Sequence, residues 1–518
     1  MAIKKLLIRG VNWMGDAVMT MPAIRALKGA FADHRVSLLA NSMVLPLFEK
    51  DPNVGSLIEY EDSMRGFTGK FRLASLLRKE KFTSAVLLQN AFDAALLAFL
   101  SGIGQRIGYS RDGRGFLLTK AVPLPDDYRI SHHVDYYLNL LKDMGLAAPR
   151  RQPWVYMALS ERLLAREALS ALARPVIGIN PGAAYGSAKR WPTRHFTGVI
   201  KRIILDMGGS AVVFGSPNET AIAGEIERAL PSSLVTGNTF LNLSGRTTVR
   251  ELCSYVSECD ALISNDSGPM HLAYALGTPL VAIFGSTSPA LTGPPEFTGF
   301  LETGSLSSVI HKALPCSPCF KRTCLFAEGT REHMQCMEAI APEEVYACLR
   351  GILPTKRAVF FDRDGTLCHD ANYLSKHEDF RPFKNIERLR ELRDRGFLLI
   401  GISNQSGIAR GIVSEDFTKE INQIFIDTCG FDDFLYCPHH PDDNCACRKP
   451  SPGMLLKAGA LHGIDLRKSF MVGDSNSDVE AALAAGAEPV FILNQKHTLQ
   501  RPGVITISSL DDICGIIK

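Results

Sequence analysis

In the stretch VFFDRDGTL, Asp362 and Asp364 place two carboxylates two residues apart at the end of an apolar run. On a strand, that spacing turns both acids to one side. One can then attack phosphorus as a nucleophile while the other handles the proton of the leaving group. Three later stretches carry matching chemistry: GISNQSG ends an apolar run in a hydroxyl and an amide, RKP supplies cations, and FMVGDSNSD ends in the carboxylate of Asp474. Each alone is ordinary turn chemistry, but four strand ends converging on one sheet edge are a strong signal for phosphate and magnesium. Directly before the cations, CPHHPDDNCACRKP offers Cys437, His439, Cys445 and Cys447. Three thiolates and an imidazole suit zinc in a closed, structural site, which would fix a loop too poor in apolar residues to fix itself.

Three loops in the first 350 residues also carry chemistry. RGVNWMGDAVMTMPAIRALK follows an opening strand. Pro22 is best tolerated in a first helical turn, so the helix is predicted to begin there with Thr20 as its cap. Asp16 then lies in the strand-to-helix turn, at the sheet edge where α/β proteins bind ligands; taken alone it reads more readily as a turn or cap carboxylate. Lys189, in NPGAAYGSAKRWP, can neutralise a phosphate, although an isolated loop lysine is usually just solvated. In SNDSGPMHLAYALG, the backbone N–H groups of Ser267 and Gly268 at a helix start make an anion site, with Gly277 closing the helix. Cys316, Cys319, Cys324 and Cys336 form a C-x-x-C with two further cysteines, but the gaps of four and eleven residues match no finger spacing. Metal ligation and reduced surface-loop thiols both stay open there.

These loops need a frame of strands and helices. Short apolar runs such as KKLLIRG, RVSLLA, SAVLLQN, PVIGINPG, SAVVFGS, ALISNDSG and PLVAIFG alternate with helical stretches. That alternation predicts an α/β chain of parallel sheets covered by helices on both faces. A length of 518 residues allows for about three units of ~150 residues. The boundaries fall near a linking helix at 150–175 and near Pro354, giving units at 1–165, 166–353 and 354–518. Hydrophobic residues make up 46% and charged residues 21%, as in ordinary soluble globular proteins. The net charge of +3 and the lack of a long Lys/Arg run argue against nucleic acid. No run approaches the ~18 apolar residues of a membrane span, and the first residues do not read as a signal peptide. Thirteen cysteines without an export signal then point to reduced thiols in the cytoplasm.

Taken together, NWMGDAVMTMPAIRALK, GINPGAAYGSAKRWP, VVFGS and ISNDSGPMHLAYALGTPLVAIFG make the chain from about residue 3 to 350 resemble the lipopolysaccharide heptosyltransferases. The resemblance is strongest to the ADP-heptose–lipopolysaccharide heptosyltransferase II type. It implies two Rossmann-like domains facing a cleft, as in GT-B type glycosyltransferases, with an acceptor-side half before a donor-side half. It also implies inverting transfer of heptose from ADP-heptose to the lipopolysaccharide inner core at the membrane surface. Asp16 matches the general base, Lys189 the cation on the diphosphate, and Asp266, Ser267, Gly268 and His271 the donor-gripping loop. Charge on departing ADP would be met by Lys189 and the helix N-terminus, without a metal.

Residues from about 356 to 517 resemble the haloacid-dehalogenase-like phosphatases, through FFDRDGT, SNQSGIARG, CPHHP with CACRKPSPGM, and GD. Within them they are similar to the branch that holds D-glycero-D-manno-heptose 1,7-bisphosphate phosphatases and histidinol phosphatases. The resemblance implies Asp362 as nucleophile and Asp364 as general acid/base. It implies Ser403 and Lys449 on the phosphate, and substrate contacts from Asp370, Tyr373, Asn404, Gln405, Ser406 and Arg448. Magnesium is implied at Asp362, the Asp364 backbone and Asp474, with zinc at Cys437, His439, Cys445 and Cys447 holding the loop of Arg448 and Lys449. A short loop between His439 and Cys445, and Ser475 where many relatives have Lys, keep histidinol phosphate open as the substrate. The fused transferase favours heptose bisphosphate. A polynucleotide-end phosphatase lacks a basic stripe, and a non-catalytic scaffold would have lost catalytic residues that are all present. The expectation is therefore a bifunctional enzyme of heptose metabolism, cytoplasmic or peripheral at the cytoplasmic face of the inner membrane.

Overall fold

Runs of valine, isoleucine, leucine and alanine become strands that are buried along their whole length, as at Val176–Asn180 and Leu280–Phe284. Such strands need cover on both faces, which helices supply. The computed structural model describes residues 4–294, 307–494 and 496–517. The chain divides into two compact units, with the change at Ile352/Leu353.

The first unit holds two six-stranded sheets. One consists of β1 (Lys4–Arg9), β2 (His34–Ala40), β3 (Ser56–Glu59), β4 (Ser84–Leu87), β5 (Gln105–Tyr109) and β6 (Lys120–Val122), in the order β3-β2-β1-β4-β5-β6. The other consists of β7 (Val176–Asn180), β8 (Ser210–Val213), β9 (Phe240–Asn242), β10 (Ala261–Asn265), β11 (Leu280–Phe284) and β12 (Ser307–His311), in the order β12-β11-β10-β7-β8-β9. All neighbouring strands run parallel. One apolar cluster extends from Leu6 and Ile8 through Leu138 and Leu141 to Leu272, Leu276 and Phe284, so the two sheets share a core.

Helix Met14–Ala30 corrects one expectation. It begins eight residues before Pro22, which lies inside it, and its N-cap is Trp13. Thr20 is no cap: its hydroxyl donates to the Ala17 carbonyl at 2.7 Å. Proline removes one helical hydrogen bond, but Ala17, Val18, Met19, Met21, Ala23, Ile24 and Leu27 are buried on this helix. The helix packs on helices His133–Asp143 and Gly268–Leu276. Tertiary burial outweighs the local breaker. At the far end of Gly268–Leu276, Gly277 takes the left-handed conformation that stops a helix, as its position in the sequence predicts.

The second unit has one sheet: β13 (Arg357–Phe361), β14 (Phe397–Asn404), β15 (Asp433–Cys437), β16 (Phe470–Gly473), β17 (Glu488–Ile492) and β18 (Ile505–Ile507), ordered β15-β14-β13-β16-β17-β18 and parallel throughout. Alternate residues feed opposite cores. Val359, Phe361 and Leu399 join one, and Ala358, Phe360 and Ile400 the other. β13 stops at Phe361, so Asp362 and Asp364 lie just past the strand rather than on it.

Gly401, in the middle of β14, leaves the space that the Phe434 ring fills; a Cβ there would run into that ring. Gly401→Ala is therefore expected to destabilise the second unit by about 1–3 kcal/mol, as overpacking does. Scanning calorimetry should show its transition lowered by several degrees, at roughly 2–4 °C per kcal/mol for a domain of this size.

Candidate active sites

In the first unit, chemistry collects where β1, β7 and β10 end. Asp16 occupies the first turn of the helix that follows β1. Lys189 closes a single helical turn, Ser187–Lys189, after β7. Asp266 follows β10 directly, and Ser267 precedes helix Gly268–Leu276. Gly15 brings the pieces together, because a Cβ on it would stand 2.6 Å from Cδ2 of His271. The helix carrying Asp16 thus rests against helix Gly268–Leu276, which begins two residues after Asp266.

Asp266 is buried and heavily used. It accepts from Lys189 Nζ at 2.6 Å and from Thr287 Oγ1 at 2.6 Å. Lys189 also stands 4.9 Å from the centre of the Tyr185 ring. Sequence reasoning offers Lys189 as a loop cation free to meet a phosphate; here Asp266 fixes its position. An ammonium has three donors, so the pairing aims the group without exhausting it. His271 lies 3.9 Å from Asp266 through Nε2, and its Nδ1 is 2.8 Å from the Tyr274 hydroxyl. Burial pushes its pKa down to about 4 against the opposing pull of Asp266 and Asp16, so the ring is neutral at pH 7. Ser267 Oγ accepts from Asn180 at 2.8 Å and does not cap the helix, whose first N–H groups stay without a side-chain cap. Asp16 keeps a third of its side chain exposed, with His133 Nδ1 at 3.9 Å. A half-open carboxylate on a helix that packs against Gly268–Leu276, whose start is uncapped, can take a proton beside an anion held there.

In the second unit the centre is Lys449. It is 3% exposed, and its Nζ lies 2.8 Å from Asp362 and 2.5 Å from Asp478, with the Ile402 carbonyl at 2.9 Å. Burial alone would lower its pKa, but Asp362 and Asp478 outweigh that and hold it above its ordinary value. Burial raises Asp362, with Lys449 opposing and Asp478 adding to the rise. Asp364 turns elsewhere, to the Arg363 guanidinium at 3.0 Å and Gln405 Nε2 at 2.7 Å. The same Gln405 amide donates to Ser403 Oγ at 2.7 Å. Asn404 exchanges two 3.1 Å hydrogen bonds with the Lys449 backbone. Ser406 opens the short helix after this loop. Asp370 pairs with Lys496, and Tyr373 takes a positive φ of 78° with its ring beside Gly407. Arg448 has a buried Nη1 with no hydrogen-bond partner among the described residues.

Two donor sets fit metal ions. Asp362, Asp474 and Asp478 place carboxylate oxygens within 4.8 Å of one another. Two of the three acids, Asp362 and Asp478, share Lys449, and hard oxygen donors with excess negative charge suit magnesium. Cys437, His439, Cys445 and Cys447 form the other group, with neighbouring ligand atoms 3.2–3.6 Å apart. A tetrahedron of ~2.3 Å metal–sulfur bonds has edges of roughly 3.7 Å, so the set is near the spacing zinc needs. The loop is tied to the site through Gln405 N, which donates to the Cys437 carbonyl at 2.8 Å.

Sequence reasoning missed Asp478 in the acid group. Its signal was present in GDSNSD, four residues past Asp474, and Ser475 holds it through N and Oγ at 3.1 and 2.7 Å. Asn494 and His497, at 2.8 and 3.3 Å from Asp474, were equally hidden, as was Thr287 beside Asp266. These contacts join distant segments, and no local pattern marks them.

Comparison with known proteins gives both units a family. The family model for glycosyltransferase family 9 (heptosyltransferase) matches residues 70–329, and a HAD-hydrolase-like model matches 446–503. Lipooligosaccharide heptosyltransferase 2 of Haemophilus influenzae is 32% identical over 299 residues, covering 56% of this chain and 85% of its own. The D-glycero-beta-D-manno-heptose-1,7-bisphosphate 7-phosphatase of Helicobacter pylori is 40% identical over 174 residues, 32% of this chain and the whole of that one. The solved structure of ADP-heptose LPS heptosyltransferase II from E. coli superposes with a TM-score of 0.57 at 28% identity, covering 67% of this chain and 98% of that one. The chain belongs to glycosyltransferase family 9, the heptosyltransferases, and continues into a HAD-like unit of the heptose-1,7-bisphosphate phosphatase family.

Proposed function

We propose that this chain transfers heptose from ADP-heptose to the lipopolysaccharide inner core and also hydrolyses the 7-phosphate of D-glycero-D-manno-heptose 1,7-bisphosphate. The observation that carries the reading is that each unit holds a full set of groups: Asp16 with the Lys189–Asp266 pair, and Asp362 and Asp364 with Lys449. Residues 1–165 would serve the acceptor, 166–353 the donor and 354–518 the phosphatase.

In transfer, Asp16 takes the proton of the acceptor hydroxyl. The freed oxygen attacks the anomeric carbon, the bond to ADP breaks, and a single displacement inverts that carbon. Lys189 and the start of helix Gly268–Leu276 meet the charge on departing ADP, while neutral His271 lines the donor side. In hydrolysis, a carboxylate oxygen of Asp362 attacks phosphorus and the bond to the sugar oxygen breaks, with Asp364 giving that oxygen its proton. Water then attacks the aspartyl phosphate and returns a proton to Asp364, releasing inorganic phosphate and free Asp362. Lys449, Ser403 and Arg448 hold the phosphoryl oxygens, and the 370–373 and 404–406 segments border the sugar. Asp362, Asp474 and the Asp364 backbone, with Asp478 beside them, would hold magnesium, which when bound neutralises phosphoryl charge. Cys437, His439, Cys445 and Cys447 would hold a structural zinc. No helix among the described residues is long and apolar enough to cross a membrane. The reading implies work in the cytoplasm, at the inner-membrane surface where the acceptor lies.

Asp16→Asn keeps shape but removes the base, so heptosyl transfer should fall by roughly 10²-fold or more, while calorimetry still shows ADP-heptose bound. Near-normal transfer would remove Asp16 from the role. Asp362→Asn should abolish phosphate release from heptose bisphosphate and leave transfer intact. Brief EDTA treatment, enough to remove loosely held magnesium but not thiolate-bound metal, should likewise stop the phosphatase alone, and a screen including histidinol phosphate should rank heptose bisphosphate first. Cys445→Ser should lose one equivalent of zinc by elemental analysis and show a raised KM and lowered kcat for phosphate release, because Arg448 and Lys449 follow the second ligand pair. Unchanged zinc content or unchanged phosphatase kinetics would overturn the structural-zinc role.

A further inference from the structure

The mechanism above uses none of Cys316, Cys319, Cys324 and Cys336, yet all four line one small cavity in the first unit. Cys316, Cys319 and Cys324 come from the first part and middle of a loop with little regular structure, 312–334, and Cys336 from helix Gln335–Glu338. The cavity is about 20 Å³, room for a water molecule or a single ion and too little for an organic ligand. Ser286 also lines it, is 1% exposed, and its hydroxyl has no hydrogen-bond partner among the described residues. A buried hydroxyl left unpaired costs stability unless something in the cavity engages it. The Cys324 sulfur already accepts a backbone hydrogen bond from Met334 N at 3.3 Å, of the kind that steadies a thiolate. Unlike the 437–447 set, the four sulfurs are not among the groups whose ligand atoms all lie within 4.8 Å of one another. An ion between them would draw the loop tighter.

The loop is also placed to matter. The Tyr185 hydroxyl donates to the Phe320 carbonyl at 2.8 Å, and Ala188 N donates to the Arg322 carbonyl at 3.0 Å. Gly186 touches Arg322 so closely that no Cβ fits between them. Phe320 N donates to the Ser286 carbonyl at 2.7 Å, one residue before the threonine that holds Asp266. The segment between Cys319 and Cys324 is therefore the floor under Tyr185, Ala188 and Lys189.

We propose that Cys316, Cys319, Cys324 and Cys336 bind one thiophilic divalent metal ion of the zinc class, which clips the 316–336 loop onto the loop that aims Lys189. Four thiolates and a cavity of ion size suit a closed tetrahedral site, in which the metal is structural. The metal-binding part stands by itself; the effect on donor binding rests on the transferase reading.

The test uses the full chain carrying Cys445→Ser, which removes the other sulfur site. It should retain about one equivalent of zinc, and Co²⁺ in its place should give the intense bands of a tetrahedral thiolate complex. Adding Cys316→Ser and Cys319→Ser should remove both signals, whereas Cys348→Ser, on a neighbouring helix, should remove neither. On the Cys445→Ser chain itself, Zn²⁺ should slow alkylation of these four thiols at least tenfold, a readout that needs no further variant to fold. Loss of the ion should raise the KM for ADP-heptose more than it lowers kcat, with Asp16 untouched. No metal in the Cys445→Ser chain, metal unchanged in the triple variant, or thiols equally reactive with and without Zn²⁺ would overturn the site. Metal bound and thiols protected with no transfer activity in any form would instead count against the transferase reading alone.

Discussion

The constraint on which everything else depends is the reversal of strand order at the middle of each sheet. In all three, the first and fourth strands of the series are neighbours, and the chain leaves them in opposite directions. The crossovers then lie to either side and leave a crevice at the carboxyl ends of the two central strands. Asp16 follows β1, Lys189 and Asp266 follow β7 and β10, and Asp362 and Asp474 follow β13 and β16. Side chains for proton transfer and anion binding gather at these edges because backbone ends there and loops begin.

Within those crevices, charge is held by burial and pairing rather than left to solvent. Taking a lone ammonium out of water costs several kcal/mol, and removing one partner of a buried pair costs roughly 3–5 kcal/mol. Lys449 meets that cost with two carboxylates and a carbonyl, and Lys189 with Asp266 and the face of Tyr185. Each lysine is thereby fixed before any substrate arrives, which is how a flexible side chain becomes a directed one. The loops that carry the lysines are braced in turn by sulfur-rich segments, 437–447 beside Lys449 and 316–336 beside Lys189.

Most of this frame was legible in the sequence because parallel strands are short, apolar and regularly spaced. Asp362, Ser403 and Asp474, which meet at one edge, were legible because each lies at the end of such a run, and Lys449 because it is a cation directly after the cysteine-rich loop. Local rules failed where distant contacts decide. Pro22 reads as a helix start, yet packing on two other helices carries the helix past it. Asp478 went unread in the sequence: it shares a capping box with Ser475, and it also faces Lys449. Asp364 reads as the twin of Asp362, but leaving the strand frees it to turn toward Arg363 and Gln405. None of these partners is close in sequence apart from Arg363, so no window of a dozen residues contains the reason.

The neighbouring central strands also set when each crevice can exist during synthesis. Leu6 lies beside Ser84, Ile177 beside Ala261, and Val359 beside Phe470. None of these pairings closes until the chain between them has been made, and such long-range closure is slow relative to local helix formation. The first unit has all its strands once residue 311 is available. The second gains its central pairing only when residues near 470 emerge, within the last tenth of the chain. A ribosome that stalls before that point leaves a first unit with its described strands complete and a strand β13 with one edge open, Asp362 attached to an unfinished sheet.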